Sequence, residues 1–337
     1  MGIVCLTAQA LSSEIGAKML PANSPLVYKI RYSERGFPFG VWEPEVPRIP
    51  ANVLNSSIYL YQTIRAARDG RDTGGSGFLL GVPSEYEPGR FHSHLYAVTN
   101  RHVAADAGVI RLNTKDGGTD ILKTEPDSWF HHPAGDDLAV FPFSPSRLHQ
   151  FSSIEYERIV AQSMIPDSVA PGMEAFLVGR FVGREGHLRN TPTARVGNIA
   201  QLPGEPFSMP DDRPREMFLL DMRTIGGSSG SPVLVYVQGM QFSGGPTGFT
   251  QRIVQDWRLL GVNWGYIIED LPVLKQRGKK DEETKFFVRG NSGIALVVPA
   301  WKLAELLDIE PLKELRARTD WLKRNRPRSG TAAPCDS

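Results

Sequence analysis

The chain has 337 residues, with 38 Lys and Arg against 37 Asp and Glu, a formal net charge of +1. That balance supplies no general surplus of cations for a polyanion, so nucleic acid is not expected as a partner. An apolar content of 41% can bury a sizeable core, and 33 Gly with 26 Pro stay below the roughly 25–30% that marks low-complexity sequence. Length predicts two or three domain-sized units. The longest unbroken apolar stretches, such as Ile294–Val298, fall far short of the ~18–20 residues that span a bilayer, so no membrane partner is expected. Cys5 and Cys335 are the only cysteines, too few for a disulfide framework. The opening MGIVCLTAQALSSEIGAKML lacks a basic n-region, and Leu6 stands where a myristoylation signal needs Ser or Thr. The expected compartment is the cytoplasm.

Residues 1–50 show no periodicity and carry a Pro-rich passage from Phe37 to Pro50, which reads as an extended arm wrapping the next unit or as disorder. From Ser57 the texture changes to β-branched and aromatic runs: Ile58–Ile64, Gly77–Val82 and Leu95–Thr99, with Gly, Pro and Asp turns between them. Leu138–Phe143, Ala175–Phe181, Met217–Met222, Pro232–Val237, Leu259–Trp264 and Ile294–Val298 continue the series. Short strands divided by turns predict an all-β barrel or sandwich. Beyond Pro299 the period becomes helical, over Trp301–Leu307 and again over Pro311–Asn325, where Leu312, Leu315 and Leu322 can share one stripe. Seven basic and two acidic residues lie between Pro311 and Arg328. This predicts a solvated helix packing its Leu stripe on the body, with a docking surface for an acidic partner or RNA as the alternative.

Thr224-Ile225-Gly226-Gly227-Ser228-Ser229-Gly230-Ser231-Pro232, followed by Val233–Val237, is the sharpest local feature. Small residues beside serines let the backbone turn tightly, expose a hydroxyl and aim successive N–H groups at one point. Gly226-x-Ser228-x-Gly230 matches the G-x-S-x-G elbow of α/β-hydrolases, but that elbow needs a following helix and a later histidine. Here Pro232 and a β-run follow, and all seven histidines (His92, His94, His102, His131, His132, His149, His187) precede Ser228. The order left for an activated serine is His, then acid, then Ser. His102 ends one strand candidate, and Asp136 and Asp137 head another.

In that order, Gly75-Ser76-Gly77-Phe78-Leu79-Leu80, Thr99-Asn100-Arg101-His102-Val103, Asp137-Leu138-Ala139-Val140, Gly227–Pro232, Leu260–Gly265 and Gly293–Pro299 resemble the signature segments of trypsin-like serine peptidases of the chymotrypsin fold. The texture is closest to bacterial and Deg-type (high-temperature-requirement) members, over about residues 57–300. The resemblance implies two six-stranded antiparallel β-barrels, with an N-terminal extension (1–50), barrel one (51–147), barrel two (148–300) and C-terminal helices and tail (301–337). It implies His102 as general base and then acid, Asp137 as its orienting acid and Ser229 as nucleophile, with the N–H groups of Gly227 and Ser229 as oxyanion hole. Asp136 remains a rival to Asp137, and Ser228 and Ser231 rivals to Ser229. Arg223, Thr224, Asn263, Trp264 and Gly265 fall where relatives bind substrate; Arg223, six residues before Ser229, would favour an acidic residue before the cleaved bond.

Two departures stand out. Ser228 occupies the place of the Asp that pairs with a freed N-terminus in trypsin-type zymogens, and no R-I-V-G-G-like site precedes Ile58. After Pro299 too few residues remain for the peptide-binding domain usual in the Deg type. Any regulation would then fall to the arm, the C-terminal helices, the charged loop Glu269–Arg289 or a partner protein. The expected activity is a metal- and cofactor-independent serine endopeptidase acting on a polypeptide. A weakly catalytic or latent binding module and a partner-activated enzyme remain open. His92-x-His94 and His131-His132 lack a Cys or acid at ligand spacing and predict surface loops.

Overall fold

Two curled, mainly antiparallel sheets organise the computed structural model, which describes residues 26–27, 49–71, 74–207, 213–245, 248–277 and 280–325. In chain order the elements are β1 (Leu26–Val27), α1 (Ala51–Ser56), β2 (Ser57–Tyr61), α2 (Ile64–Asp69), β3 (Gly75–Glu87), β4 (Arg90–Thr99), α3 (Arg101–Asp106), β5 (Val109–Asn113), β6 (Thr119–Lys123), β7 (Phe130–His131), β8 (Ala139–Phe143) and β9 (Ile154–Glu155). They continue with β10 (Glu174–Gly179), β11 (Thr193–Gln201), β12 (Phe218–Asp221), β13 (Pro232–Gly245), β14 (Gly248–Arg277), β15 (Lys280–Pro299), α4 (Ala300–Leu307) and α5 (Glu310–Arg324).

The all-β antiparallel class is as the sequence predicts, while the strand count per sheet differs. Among the described residues the first sheet runs β6-β5-β2-β3-β4-β8-β7 as an open, curled path, with β9 added in parallel on β3. In the second, β14 pairs with both β13 and β15, so six strands return to their start through β10, β11 and β12. Leu26–Val27 adds to β14; the rest of the expected arm up to Arg48 lies outside the described residues. β5 and β6 escape a pattern reading because Arg111, Asn113 and Asp120 interrupt their apolar texture. The expected loop Glu269–Arg289 is instead the outer part of the β14–β15 hairpin.

One apolar cluster joins the sheets. Phe78, Leu80, Tyr96 and Val98 of the first meet Phe176, Val178, Leu234 and Val262 of the second, with Leu303, Leu306 and Leu312 of the helices closing one side. β3 is buried along Gly75–Gly81 because that half lies between the sheets, and its outer half emerges into solvent. α4 packs Trp301, Leu303, Leu306 and Leu307 inward. Of the expected stripe on α5 only Leu312 is buried; Leu315 and Leu322 are 39% and 54% exposed. That helix docks through polar contacts instead, Arg316 to the Tyr96 hydroxyl and Arg324 to the Tyr86 carbonyl.

Candidate active site

His102 is carried by the first turn of α3, directly after β4 ends at Thr99. The Thr99 hydroxyl donates to the Ser76 carbonyl at 2.7 Å, and the Asn100 amide donates to the Asp137 carbonyl at 2.9 Å, which ties the strand end to the segment ahead of β8. Asp137 then holds His102 twice. Its Oδ2 lies 2.5 Å from His102 Nδ1, and its Oδ1 accepts the His102 backbone N–H at 2.9 Å. A carboxylate only accepts, so Nδ1 carries the proton and Nε2 keeps its lone pair. Burial pushes the Asp137 carboxyl up, but hydrogen bonds and charge from His102 outweigh it and leave the group below the usual carboxylate range. The rival Asp136 faces away, with its Oδ2 3.1 Å from His132 Nδ1.

The serine loop forms a tight turn in which the Ser228 N–H reaches the Ile225 carbonyl, with Gly227 at φ +82° in the third position. That backbone region favours glycine. Ser228 is 1% exposed and donates its hydroxyl to the Ile225 carbonyl at 2.7 Å. The Asn263 amide donates to the Ser228 carbonyl at 3.0 Å and to its hydroxyl oxygen at 3.2 Å. Ser231 is fully buried. Ser229 alone of the three lines a cavity of about 240 Å³ shared with His102, Leu60, Gly75, Ala107 and Gly227. Among the described residues, no protein acceptor takes the N–H of Gly227 or of Ser229.

The hydroxyl of Ser229 donates to the Trp264 carbonyl at 2.8 Å and makes no hydrogen bond to His102. A bulge explains why that carbonyl is available. The β14–β15 register shifts between Asn263 and Gly265, so Trp264 is the extra residue, without a ladder partner. The Trp264 ring meets His102 edge-on, centroids 6.2 Å apart.

Ser76, marked in the sequence only by its place in a motif, binds the halves of this site together. Its N–H donates to the Ser229 carbonyl at 2.8 Å and its hydroxyl to the Gly227 carbonyl at 2.9 Å, while it accepts the Arg180 N–H. The Gly-Ser-Gly motif marks Ser76 in the sequence, but its glycines make room for Val103 and the Val98 carbonyl, and the loop's close approach rests on Gly230. Gly230, at φ +84°, would place a Cβ 2.0 Å from the Ser76 carbonyl oxygen. Gly230→Ala is therefore expected to cost more than the roughly 1–2 kcal/mol of a left-handed residue alone. Thermal melting checks this; an unchanged Tm would contradict the close approach.

Residues 75–239 match the family model described as "Trypsin-like peptidase domain". The chain carries a trypsin-like peptidase domain. It is accordingly a serine protease, and the matched span holds His102, Asp137 and Ser229 together. No curated protein matches the sequence. Among solved structures, the MamO protease domain from Magnetospirillum magneticum (apo form) is similar at 14% identity over 77% of this chain and 100% of that one, TM-score 0.44. The HtrA-type protease AlgW with tripeptide shares 16% identity over 76% of this chain and 61% of that one, TM-score 0.40. Deg5 shares 15% over 75% and 88%, TM-score 0.39.

Of the residues expected to bind substrate, this peptidase brings only Trp264 against His102 and Ser229. Arg223 is exposed, and its carbonyl accepts from Arg195 at 2.6 Å. Thr224 is buried, and its carbonyl is bound by the Asn291 amide. Asn263 is fully buried and braces Ser228, while Gly265 offers its carbonyl to the Thr224 hydroxyl at 3.5 Å. None of Arg223, Thr224, Asn263 and Gly265 lines the cavity that Ser229 and His102 share.

Besides Asp120 with His149, three buried or half-buried carboxylates of the peptidase pair with histidines: Asp136 with His132, Asp137 with His102 and Asp320 with His92. Burial raises all three, but their hydrogen bonds and neighbouring charges win, leaving each lowered. A carboxylate depressed in the folded state stabilises the fold above its unfolded value of about 3.9. The contribution disappears as pH falls through the lower folded value. Tm followed from pH 7 to pH 2 should drop steeply only below about pH 4; Asp136→Asn should flatten that limb, and an unchanged limb would contradict the assignment.

Proposed function

We propose that this chain is a serine endopeptidase in which Ser229 attacks the substrate carbonyl and His102 and Asp137 drive the proton transfers. The observation that carries the reading is the double grip of Asp137 on His102 beside a cavity that also exposes Ser229. With Nδ1–H held by the carboxylate, Nε2 is the free base. Rotation of the Ser229 side chain away from the Trp264 carbonyl turns its hydroxyl toward Nε2. The Oγ–H proton then moves to Nε2 as Oγ bonds to the carbonyl carbon, and the former carbonyl oxygen takes the negative charge. The unpaired N–H groups of Gly227 and Ser229 are suited to receive it. Collapse of the tetrahedral adduct expels the amine, which takes the proton from Nε2 and leaves an ester on Ser229. Water, deprotonated by the same nitrogen, hydrolyses the ester and restores the hydroxyl.

The turn needs no freed N-terminus on this account. In place of an ion pair, Ser228 and Asn263 fix the loop by hydrogen bonds within the domain. Arg223 gives a specificity for acidic residues only if a substrate reaches it outside the present cavity; an acidic- against basic-residue peptide panel tests this, and equal cleavage rules it out.

A second reading, a latent or weakly catalytic protease-fold module awaiting a protein partner, is favoured by one observation. The Ser229 hydroxyl is held by Trp264 and not by His102. Both readings are tested by incubating the purified chain with unfolded polypeptides and mapping new N-termini. Cleavage by wild type, absent in Ser229→Ala, supports the endopeptidase. No cleavage alone, with cleavage appearing when a binding partner is added, supports latency.

A further inference from the structure

The β3–β4 hairpin carries a second cluster of titratable groups, none of which lines the cavity that Ser229 and His102 share. His92 and His94 sit two apart on β4, so their side chains leave the same face of the strand, and their rings lie 4.4 Å apart. Asp320 reaches the pair from α5. Its Oδ1 is 2.6 Å from His92 Nε2 and 2.9 Å from His94 Nε2, and its Oδ2 accepts the Ser84 hydroxyl at 2.7 Å. The three potential ligand atoms lie within 4.8 Å of one another. The side chains are 12%, 8% and 15% exposed.

Hydrogen bonding among these groups leaves one atom unsatisfied. His94 Nε2 is buried and has no hydrogen-bond partner, although it points at a carboxylate oxygen already used by His92. Two imidazole nitrogens and one carboxylate oxygen converging on a shared point is the donor set of a four-coordinate divalent transition metal. We propose that His92, His94 and Asp320 bind one zinc-class divalent ion that fastens α5 to the β3–β4 hairpin. With bonds of about 2.0–2.1 Å, neighbouring ligand atoms of a tetrahedral ion stand roughly 3.3 Å apart. Small side-chain shifts open the present contacts to that spacing. Ser84 fixes the second carboxylate oxygen and so aims the first at the ion, the usual task of a group behind a ligand. His92 and His94 also line a cavity of about 360 Å³ beside Arg316 and Thr319, which gives the ion a way in and a water room as fourth ligand. Among the described residues, His131-His132 belongs to no such group of converging ligand atoms. The acid that His92-x-His94 lacks in sequence comes 226 residues after His94, out of reach of any spacing pattern.

The test is zinc titration of the chelator-stripped full chain against a colorimetric chelator, for wild type, His94→Ala, Asp320→Asn and, as control, His131→Ala, with Tm recorded with and without zinc. The expected result is one tight zinc per wild-type chain with a raised Tm. Affinity should fall by at least about tenfold in the first two variants and hold in the control. No saturable binding to wild type, or equal binding in all four proteins, would overturn the proposal. Cobalt in wild type alone gives a check independent of variant folding. Intense visible bands of a four-coordinate ion are expected, and only the weak bands of a six-coordinate hydrated ion would overturn it.

Discussion

Ser229→Ala is expected to lower kcat for peptide hydrolysis by on the order of 10⁶-fold while leaving the fold intact. The size follows from the division of labour in the loop. Ser229 is the member of the serine run that faces the shared cavity, whereas Ser228 spends its hydroxyl on the Ile225 carbonyl and Ser231 is fully buried. Removing Oγ deletes the bond-forming atom and costs only one hydrogen bond, to Trp264. Its two backbone contributions, the carbonyl bound by Ser76 and the free N–H, stay. Residual cleavage should come from binding and the oxyanion donors alone. Steady-state hydrolysis of a fluorogenic polypeptide measures this, and a drop of less than about tenfold would place the nucleophile elsewhere.

Asp137→Asn is expected to reduce kcat by about 10⁴-fold at neutral pH with little change in KM. The carboxylate accepts from both His102 Nδ1 and the His102 N–H. An amide has one accepting oxygen and one donating nitrogen, so it cannot serve both. If the oxygen keeps the backbone N–H, the amide nitrogen faces Nδ1 and forces the proton onto Nε2, which removes the lone pair that must take the serine proton. A loss purely of folding would instead appear as a lowered Tm with normal kcat per folded molecule. Asp136→Asn, acting on His132, should leave kcat near wild type.

The candidate site was legible in sequence because His102, Asp137 and Ser229 each sit in a short local pattern. Asn100 and His102 open a helical turn directly after an apolar strand and Asp137 stands ahead of another, so adjoining residues mark each position, although the contacts that join them span more than 30 residues. Glycines at positive φ around Ser229 do the same for the loop. The strands with apolar runs were legible for the same reason. What could not be read were features made by distant pairing. β5 and β6 hide behind Arg111 and Asp120, the ring closure depends on β14 meeting two partners, and the Trp264 bulge that captures the Ser229 hydroxyl depends on register with β15. The Leu periodicity of α5 predicts a packed apolar stripe, yet Arg316, Arg324 and Asp320 make its docking contacts while Leu315 and Leu322 face solvent. The five expected substrate positions split likewise: Asn263 became a brace for Ser228, and only Trp264 reaches the site.

The central claim is that Ser229 is an activated nucleophile in a formed site. Fluorophosphonate labelling of the purified chain, followed by mass mapping of the adduct, tests it most directly because the reagent needs an activated serine and no knowledge of the substrate. Wild type and Ser228→Ala should both carry the adduct on Ser229, and Ser229→Ala should carry none. An adduct on Ser228 or Ser231, or labelling that survives in Ser229→Ala, would contradict the account.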